Sequence, residues 1–287
     1  MFKNILVAAS GTDADAATFA AAATIGEPFG AHLVFLHVGY DWVSFAATMS
    51  GAGMGLPVDS EVINRIQEEA TERAAAARAN FEHFCRTMGI APVETPAALS
   101  TMSAEYRVEA GGEADLITDH GRTADLILIA RDKDGAAPAV VTENALFESG
   151  RPLLILGTEP LPKAFRTVAI AWKGTREAAH AVAAAMPFVE RAERVVVLEI
   201  GEQEPFEVDD AARLAAALQW HRPNVTSRFV PAGENGTGPA LLAAARESDA
   251  DLLVMGGYGH SRFRQFIFGG VTDTVTRHAP LPVLIAH

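Results

Sequence analysis

The run FKNILVAASGT at residues 2–12 returns as FRTVAIAWKGT at residues 165–175, with Phe2 on Phe165, Gly11 on Gly174 and Thr12 on Thr175 at one offset of 163. Such a repeat constrains the fold before any single element is considered, because two copies of one unit must bury the same faces. Both runs are short, apolar and rich in β-branched residues, and both end at glycine, the pattern of a strand buried on both sides. Alanine-rich segments with helical spacing follow, Asp13 to Ile25 and Arg176 to Val189, the second with Ala178, Val182, Ala185 and Met186 in register. A second buried strand then returns in each copy, HLVFLHV at 32–38 and RVVVLEI at 194–200. Strand, helix and strand in that order predict a parallel sheet.

Later anchors extend the repeat. TADLILIAR (123–131) falls on DADLLVMGG (249–257), with Asp125 on Asp251 at an offset of 126. RPLLILG (151–157) falls on LPVLIAH (281–287), with Pro152 on Pro282 at an offset of 130, so the second copy holds four extra residues between its fourth and fifth strands. The expectation is an α/β chain of two tandem domains, 1–158 and 163–287, meeting near EPLPK at 159–163. Each is expected to be a five-stranded parallel sheet with helices on both faces.

The copies also differ. The first inserts GYDWVSFAATMSGAGMGLP at 39–57, followed by a long helix from about Asp59 to Met88. Val62, Ile66, Ala70, Ala74, Ala77, Phe81, Phe84 and Met88 keep three-to-four spacing on one face of it, the mark of an amphipathic helix. The matching helix of the second copy, around Val208 to Trp220, is shorter. The insertion, with Trp42, Phe45, Met49 and Met54, reads equally as a partner-contacting segment or as a lid over its own domain.

Composition removes several classes of function. A formal net charge of −13 opposes nucleic acid and anionic membrane, whose phosphates are neutralised by clustered Lys and Arg. Cys85 is the single cysteine, which excludes an intrachain disulfide and a cysteine zinc site, and its place on the helix face reads as core. The nine histidines show no HExxH or paired i, i+4 spacing. His260 and Ser261 are neighbours, yet no G-x-S-x-G elbow or third orienting group accompanies them. No apolar run approaches the roughly 20 residues that span a bilayer. The opening MFKNILVAAS lacks a signal-peptide core, so a cytoplasmic location is expected.

The segment containing the second copy's extra residues is MGGYGHSRFRQFIFGGVT, residues 255–272. In an open parallel sheet, ligands sit beyond the carboxyl ends of the strands. DLLVMGG ends its strand near Met255, which places Gly256, Tyr258 and Gly259 at that edge. Gly269 and Gly270 precede VTDTVTRHA, a helix stopped by Pro280. Unpaired amides and the dipole at such a helix start favour an anion, and Thr272 adds a hydroxyl donor. From spacing alone such a glycine-rich segment is more often a surface turn, packed down by Phe263, Phe266, Ile267 and Phe268. It is neither a Walker loop nor a GxGxxG opening a helix.

The pattern Gly256-x2-Gly259-x9-Gly269, followed by Gly270-Val271-Thr272 and APLPVLI, resembles the nucleotide-binding loop of the universal stress protein family. The strand-Gly-Thr openings and the ADLI and ADLL segments are similar to that family across almost the whole chain. The resemblance implies two adenine-nucleotide-hydrolase-like domains, paired within the chain through PLLIL and PVLIA as neighbouring edge strands, with a homodimer of chains as a further option. It implies ATP or another adenine nucleotide, accompanied by magnesium. Met255, Gly256, Gly259 and Gly269 would line phosphates and ribose, Gly270, Val271 and Thr272 the helix start, and Ala171, Trp172 and Lys173 the end of the first strand. Two residues depart from the family pattern: Gly270 stands where ATP-binding members have Ser or Thr, and Lys173 where they have Asp. Trp172 either stacks on a base or packs a wall; Lys173 either reaches a phosphate or stays solvated. The first copy, ARDKDGAAPAVVT at 130–142, puts Ala130, Ala139 and Val140 in place of Gly256, Gly269 and Gly270, which confines the nucleotide to the second copy. The implied role is a stress-response regulator that acts through a protein partner. A non-nucleotide interaction module and a weak nucleotide or phosphoester hydrolase stand beside it as alternatives.

Overall fold

The computed structural model describes residues 1–40, 60–93, 95, 101–131, 137–201, 210–257 and 270–287. The chain divides into two compact units, Phe2–Asp125 and Leu126–His287.

In the first unit the chain runs through β1 (Asn4–Ala8), α1 (Ala14–Gly26), β2 (His32–Gly39), α2 (Ser60–Met88), β3 (Ser103–Ala110) and α3 (Glu113–Gly121). The strands lie in the order β3-β2-β1, and both pairings are parallel, with Val7 beside Phe35 and Phe35 beside Tyr106. Aromatic rings fill the space between sheet and helices: Phe35 lies 4.4 Å from Phe19 and 5.1 Å from Phe84, centroid to centroid. The seam expected along the whole of α2 is buried only in its second half, at Ala77, Phe81 and Phe84 together with Cys85, whereas Val62 is 38% exposed. Length explains the difference. A helix of 29 residues reaches about 43 Å, and a strand of 8 residues only about 27 Å, so α2 outruns the sheet that would cover it. Burial, with the charge of Glu82 adding to it, pushes the Cys85 thiol up, as suits a core residue rather than a reactive one.

The second unit contains β4 (Leu126–Ile129), α4 (Ala139–Glu148), β5 (Leu153–Ile155), β6 (Thr167–Ala171), α5 (Arg176–Val189), β7 (Arg194–Gly201), α6 (Asp210–Leu218), β8 (Val225–Pro231), α7 (Thr237–Glu247), β9 (Leu252–Gly256), α8 (Gly270–His278) and β10 (Val283–Ala286). Its strands follow the order β4-β5-β10-β9-β6-β7-β8. Every pairing is parallel except β5 with β10, which run antiparallel with Leu154 opposite Leu284. Strands such as LILI and VLIA are buried at every residue, so both faces of the sheet are covered. Helix α5 packs on β6, β9 and β10, α6 and α7 pack on β7 and β8, and α8 lies against α7. The second copy is thus a five-stranded parallel sheet. The five strands of the first copy are shared between the units, β1 to β3 in one and β4 with β5 in the other.

The repeated ADL segments have a shared job. One carboxylate oxygen of Asp125 accepts the amides of Lys3 and Asn4 at 2.7 and 3.0 Å, and Asp251 accepts those of Arg166 and Thr167, both at 2.8 Å. Each aspartate therefore pins the entry to the fourth strand of its copy onto the start of the first. Backbone amides given to a carboxylate make strong, charge-assisted bonds.

No described helix is long and apolar enough to cross a membrane. At the β5 end, a Cβ on Gly157 would lie 2.1 Å from the Pro280 carbonyl oxygen and 2.6 Å from the Leu281 carbonyl carbon. Both obstacles are backbone and cannot rotate away. Gly157→Ala is expected to lower the unfolding free energy by about 1–3 kcal/mol, read from urea denaturation, with unchanged stability as the contrary result.

Candidate functional site

The loops that leave β1 and β6 are repeats in sequence and are finished differently. Trp172 donates its amide to the Leu198 carbonyl at 2.8 Å, as Ala9 does to Leu36 at 2.9 Å, so both chains leave the sheet at the same point. In the first copy the Asp15 carboxylate, 1% exposed, then turns back onto the loop. It accepts the Ser10 amide at 2.8 Å, the Ser10 hydroxyl at 2.7 Å and the Gly11 amide at 2.9 Å, with the Asn80 side-chain amide at 3.4 Å. Successive backbone amides of this kind form a concavity for an anion, and here the chain supplies that anion itself.

At the offset of 163 the residue matching Asp15 is Ala178. Its methyl group accepts nothing, and among the described residues the amides of Lys173 and Gly174 have no acceptor. Thr175 caps α5, accepting the Ala178 amide at 3.3 Å. The only carboxylate in the first turn of α5, Glu177, is buried and accepts from Arg176 at 2.5 Å, not from the amides of Lys173 or Gly174. Burial pushes its carboxyl up, but the hydrogen bonds from Arg176 and Thr175 and the arginine charge outweigh this and hold it below the usual carboxylate range. The second copy therefore lacks that plug, and its loop also runs differently: Gly11 has φ +72°, Gly174 has no positive φ, and a Cβ on Gly174 would lie 2.9 Å from Asp210 Oδ2.

The residues expected at the site fall in three places. Ala171 and Met255 are register neighbours across β6 and β9, and Gly256 follows at the strand end beside Ala286. Met255 is 4% exposed, so its side chain belongs to the core. A Cβ on Gly256 would lie 2.5 Å from the Ala178 nitrogen and 2.6 Å from the Glu177 carbonyl carbon, so close packing of α5 already demands a glycine there. Lys173 is exposed, and Trp172 is half-buried, its indole nitrogen buried and without a hydrogen-bond partner among the described residues. Gly270, Val271 and Thr272 open α8; among the described residues nothing lies within 4 Å of a Cβ on Gly270, and Thr272 is buried. Gly259 and Gly269, with His260, Ser261 and the rest of 258–269, lie outside the described residues, as do the expected contacts of 41–57.

Asp15, Ala178 and Glu177 were not singled out by motif; their signal is a mismatch between otherwise matching copies. The available donors, two backbone amides and one indole N–H, suit an anionic, oxygen-rich ligand. They suit a metal ion poorly. Asp210 and Asp273, like Glu177, are ion-paired, to Arg213 at 2.9 Å and Arg277 at 2.6 Å. Among the described residues no group of three or more His, Cys, Asp and Glu is placed to hold a metal.

This geometry belongs to an α/β fold in two copies, with a donor-lined loop at the carboxyl edge of the second. Residues 164–287 match the model of the Universal stress protein family, and this half of the chain is a universal stress protein domain, preceded by a second copy of its strand pattern. Among solved structures, the chain is similar to a universal stress protein from Archaeoglobus fulgidus, at 17% identity and a TM-score of 0.68, covering 99% of this chain and 95% of that one. It is also similar to a putative universal stress protein from Pseudomonas aeruginosa, at 14% identity and a TM-score of 0.58, covering 99% of this chain and 93% of that one. These likenesses extend the fold over both copies. A search of curated proteins found no match.

If Asp15 closes the first loop, Asp15→Ala leaves the Ser10 and Gly11 amides without their acceptor. A loss of about 1–3 kcal/mol is expected in chemical denaturation. A change below about 0.5 kcal/mol, the size of an ordinary surface substitution, would contradict the assignment.

Proposed function

We propose that the chain is a stress-response regulator with two tandem domains, near 1–158 and 163–287, of which only the second binds an adenine nucleotide. The observation that carries this reading is that Asp15 accepts the Ser10 and Gly11 amides in the first copy, while the matching amides of Lys173 and Gly174 have no acceptor among the described residues. The ligand's phosphates would meet the amides of Lys173 and Gly174, and the Lys173 ammonium would supply the positive charge that a carboxylate at this position would deny. The indole N–H of Trp172 offers one further donor. The helix start at Gly270-Val271-Thr272 supports the same polarity through the positive end of its dipole. Gly259 and Gly269 remain part of the proposed site on sequence grounds. Any magnesium would be held by the nucleotide, since the nearby carboxylates are occupied by arginines.

The nucleotide acts here as a bound regulator whose presence alters the protein surface offered to a partner. No base or nucleophile is assigned, and hydrolysis is not required. The domain's family membership supports the stress-response setting. A cytoplasmic location is part of the proposal, and an acidic chain of this charge suits neither nucleic acid nor anionic membrane.

Isothermal titration with ATP, ADP and AMP tests the reading. One site per chain is expected for at least one of them. Ala178→Asp, which writes the first copy's plug into the second, is expected to weaken binding on the order of tenfold or more while the protein stays folded, since a buried like charge opposes the phosphate. No binding at millimolar ligand, or binding that survives Ala178→Asp unchanged, overturns it.

A further inference from the structure

Arg131 follows β4 in the first copy, and its side chain ends in the second. Its Nε donates to the Leu156 carbonyl at 2.6 Å, and one terminal nitrogen donates to the carbonyl of Thr276 in the last turn of α8. That carbonyl needs an outside donor for a reason written in the sequence. The residue four positions on is Pro280, which has no amide hydrogen to return to it. The Val275 carbonyl just before it is served normally, by the Ala279 amide at 3.0 Å. A cation at this end also meets the negative pole of the helix.

The repeat supplies an internal control. The residue matching Arg131 is Gly257, and the residue matching Thr276 is Leu146. A Cβ on Gly257 would lie 2.8 Å from the Leu146 side chain, so the same place in the other copy is filled by direct apolar packing against α4. The residue matching Pro280 is Gly150, which keeps its amide hydrogen. This fold therefore closes the position without any charge, and a guanidinium there carries a cost: burial pushes Arg131 down to about 10. What the arginine adds is a link between the first copy and the helix whose other end opens at Gly270-Val271-Thr272.

We propose that Arg131 is a positioning residue for α8, holding that helix by its carboxyl end and so setting where its amino end stands in the nucleotide site. The effect on the nucleotide rests on the proposed function above; the hold on the helix does not. Behind α8 the packing is close, since a Cβ on Gly238 of α7 would lie 2.8 Å from Thr274, while among the described residues nothing lies within 4 Å of a Cβ on Gly270 at the front. A helix held from behind transmits a change at its carboxyl end to its first turn, in the manner of a rigid element.

The test uses the full chain as wild type, Arg131→Met and Arg131→Lys. Amide exchange by nuclear magnetic resonance is read in the absence of ligand at Thr274 and Val275, the first amides of α8 that are hydrogen-bonded within the helix. In Arg131→Met these are expected to exchange about tenfold faster relative to the amides of α7, with part of the protection restored by lysine. ATP affinity is expected to fall by about tenfold in the same variant and to recover partly with lysine. Exchange at Thr274 and Val275 that rises only in step with α7 overturns the hold on the helix. Faster exchange with unaltered affinity overturns its role in the site. Absence of ATP binding by the wild type defeats the nucleotide reading, and the exchange measurement then judges the hold alone.

Discussion

The antiparallel pairing of β5 with β10 is the constraint on which the second unit depends. Both strands are short, 3 and 4 residues, and both are buried at every position. Neither end of these two copies can remain an open edge, because unpaired backbone groups on an apolar strand invite association with another chain. Pairing the two last strands removes both edges and joins the end of the first copy to the end of the second. Gly157 against the Pro280 backbone, Gly257 against Leu146 and Arg131 against Thr276 all follow from that junction. The compact unit consequently begins at Leu126, well before the linker at 159–163.

Joined copies are free to diverge where the sheet does not care. The buried strands are duplicated in apolar pattern, and the two aspartates that pin them in identity. The loops at the carboxyl edge are not. In the first copy a buried carboxylate meets two backbone amides and a hydroxyl, while in the second an alanine leaves the same amides open. The side chain at this position and the local backbone both differ: Gly11 has φ +72° where Gly174 has no positive φ, and the helix of the second copy starts one residue earlier. With Asp15 on the Ser10 and Gly11 amides, those donors are already taken and a ligand oxygen finds no place on them.

Much of the fold was legible because buried parallel strands must be short, apolar and β-branched, and two copies show the pattern twice. Asp125 and Asp251 were visible as matched letters, though only the structure shows that each accepts two amides. The three-to-four spacing of α2 marks a helix, yet only its second half is buried, because periodicity reports a face and says nothing about how far the sheet beneath it extends. At the site, Gly256 drew attention as a glycine near a ligand, yet the α5 backbone already accounts for it. Asp15 escaped notice because an acidic residue in the first turn of a helix is ordinary. Arg131 escaped because its acceptor, Thr276, lies 145 residues away. Residues that act through a partner distant in sequence leave no local motif, and only the comparison of one copy with the other exposes them.

The central claim is that the loop after β6 receives a ligand and the loop after β1 cannot. Amide resonances of the full chain, followed as ATP is added, address it directly through two matched glycines. The account predicts that the Gly174 amide shifts and saturates with ligand while the Gly11 amide, held by Asp15, stays in place. A shift at Gly11 equal to that at Gly174, or a silent Gly174 in protein that binds ATP, would contradict it.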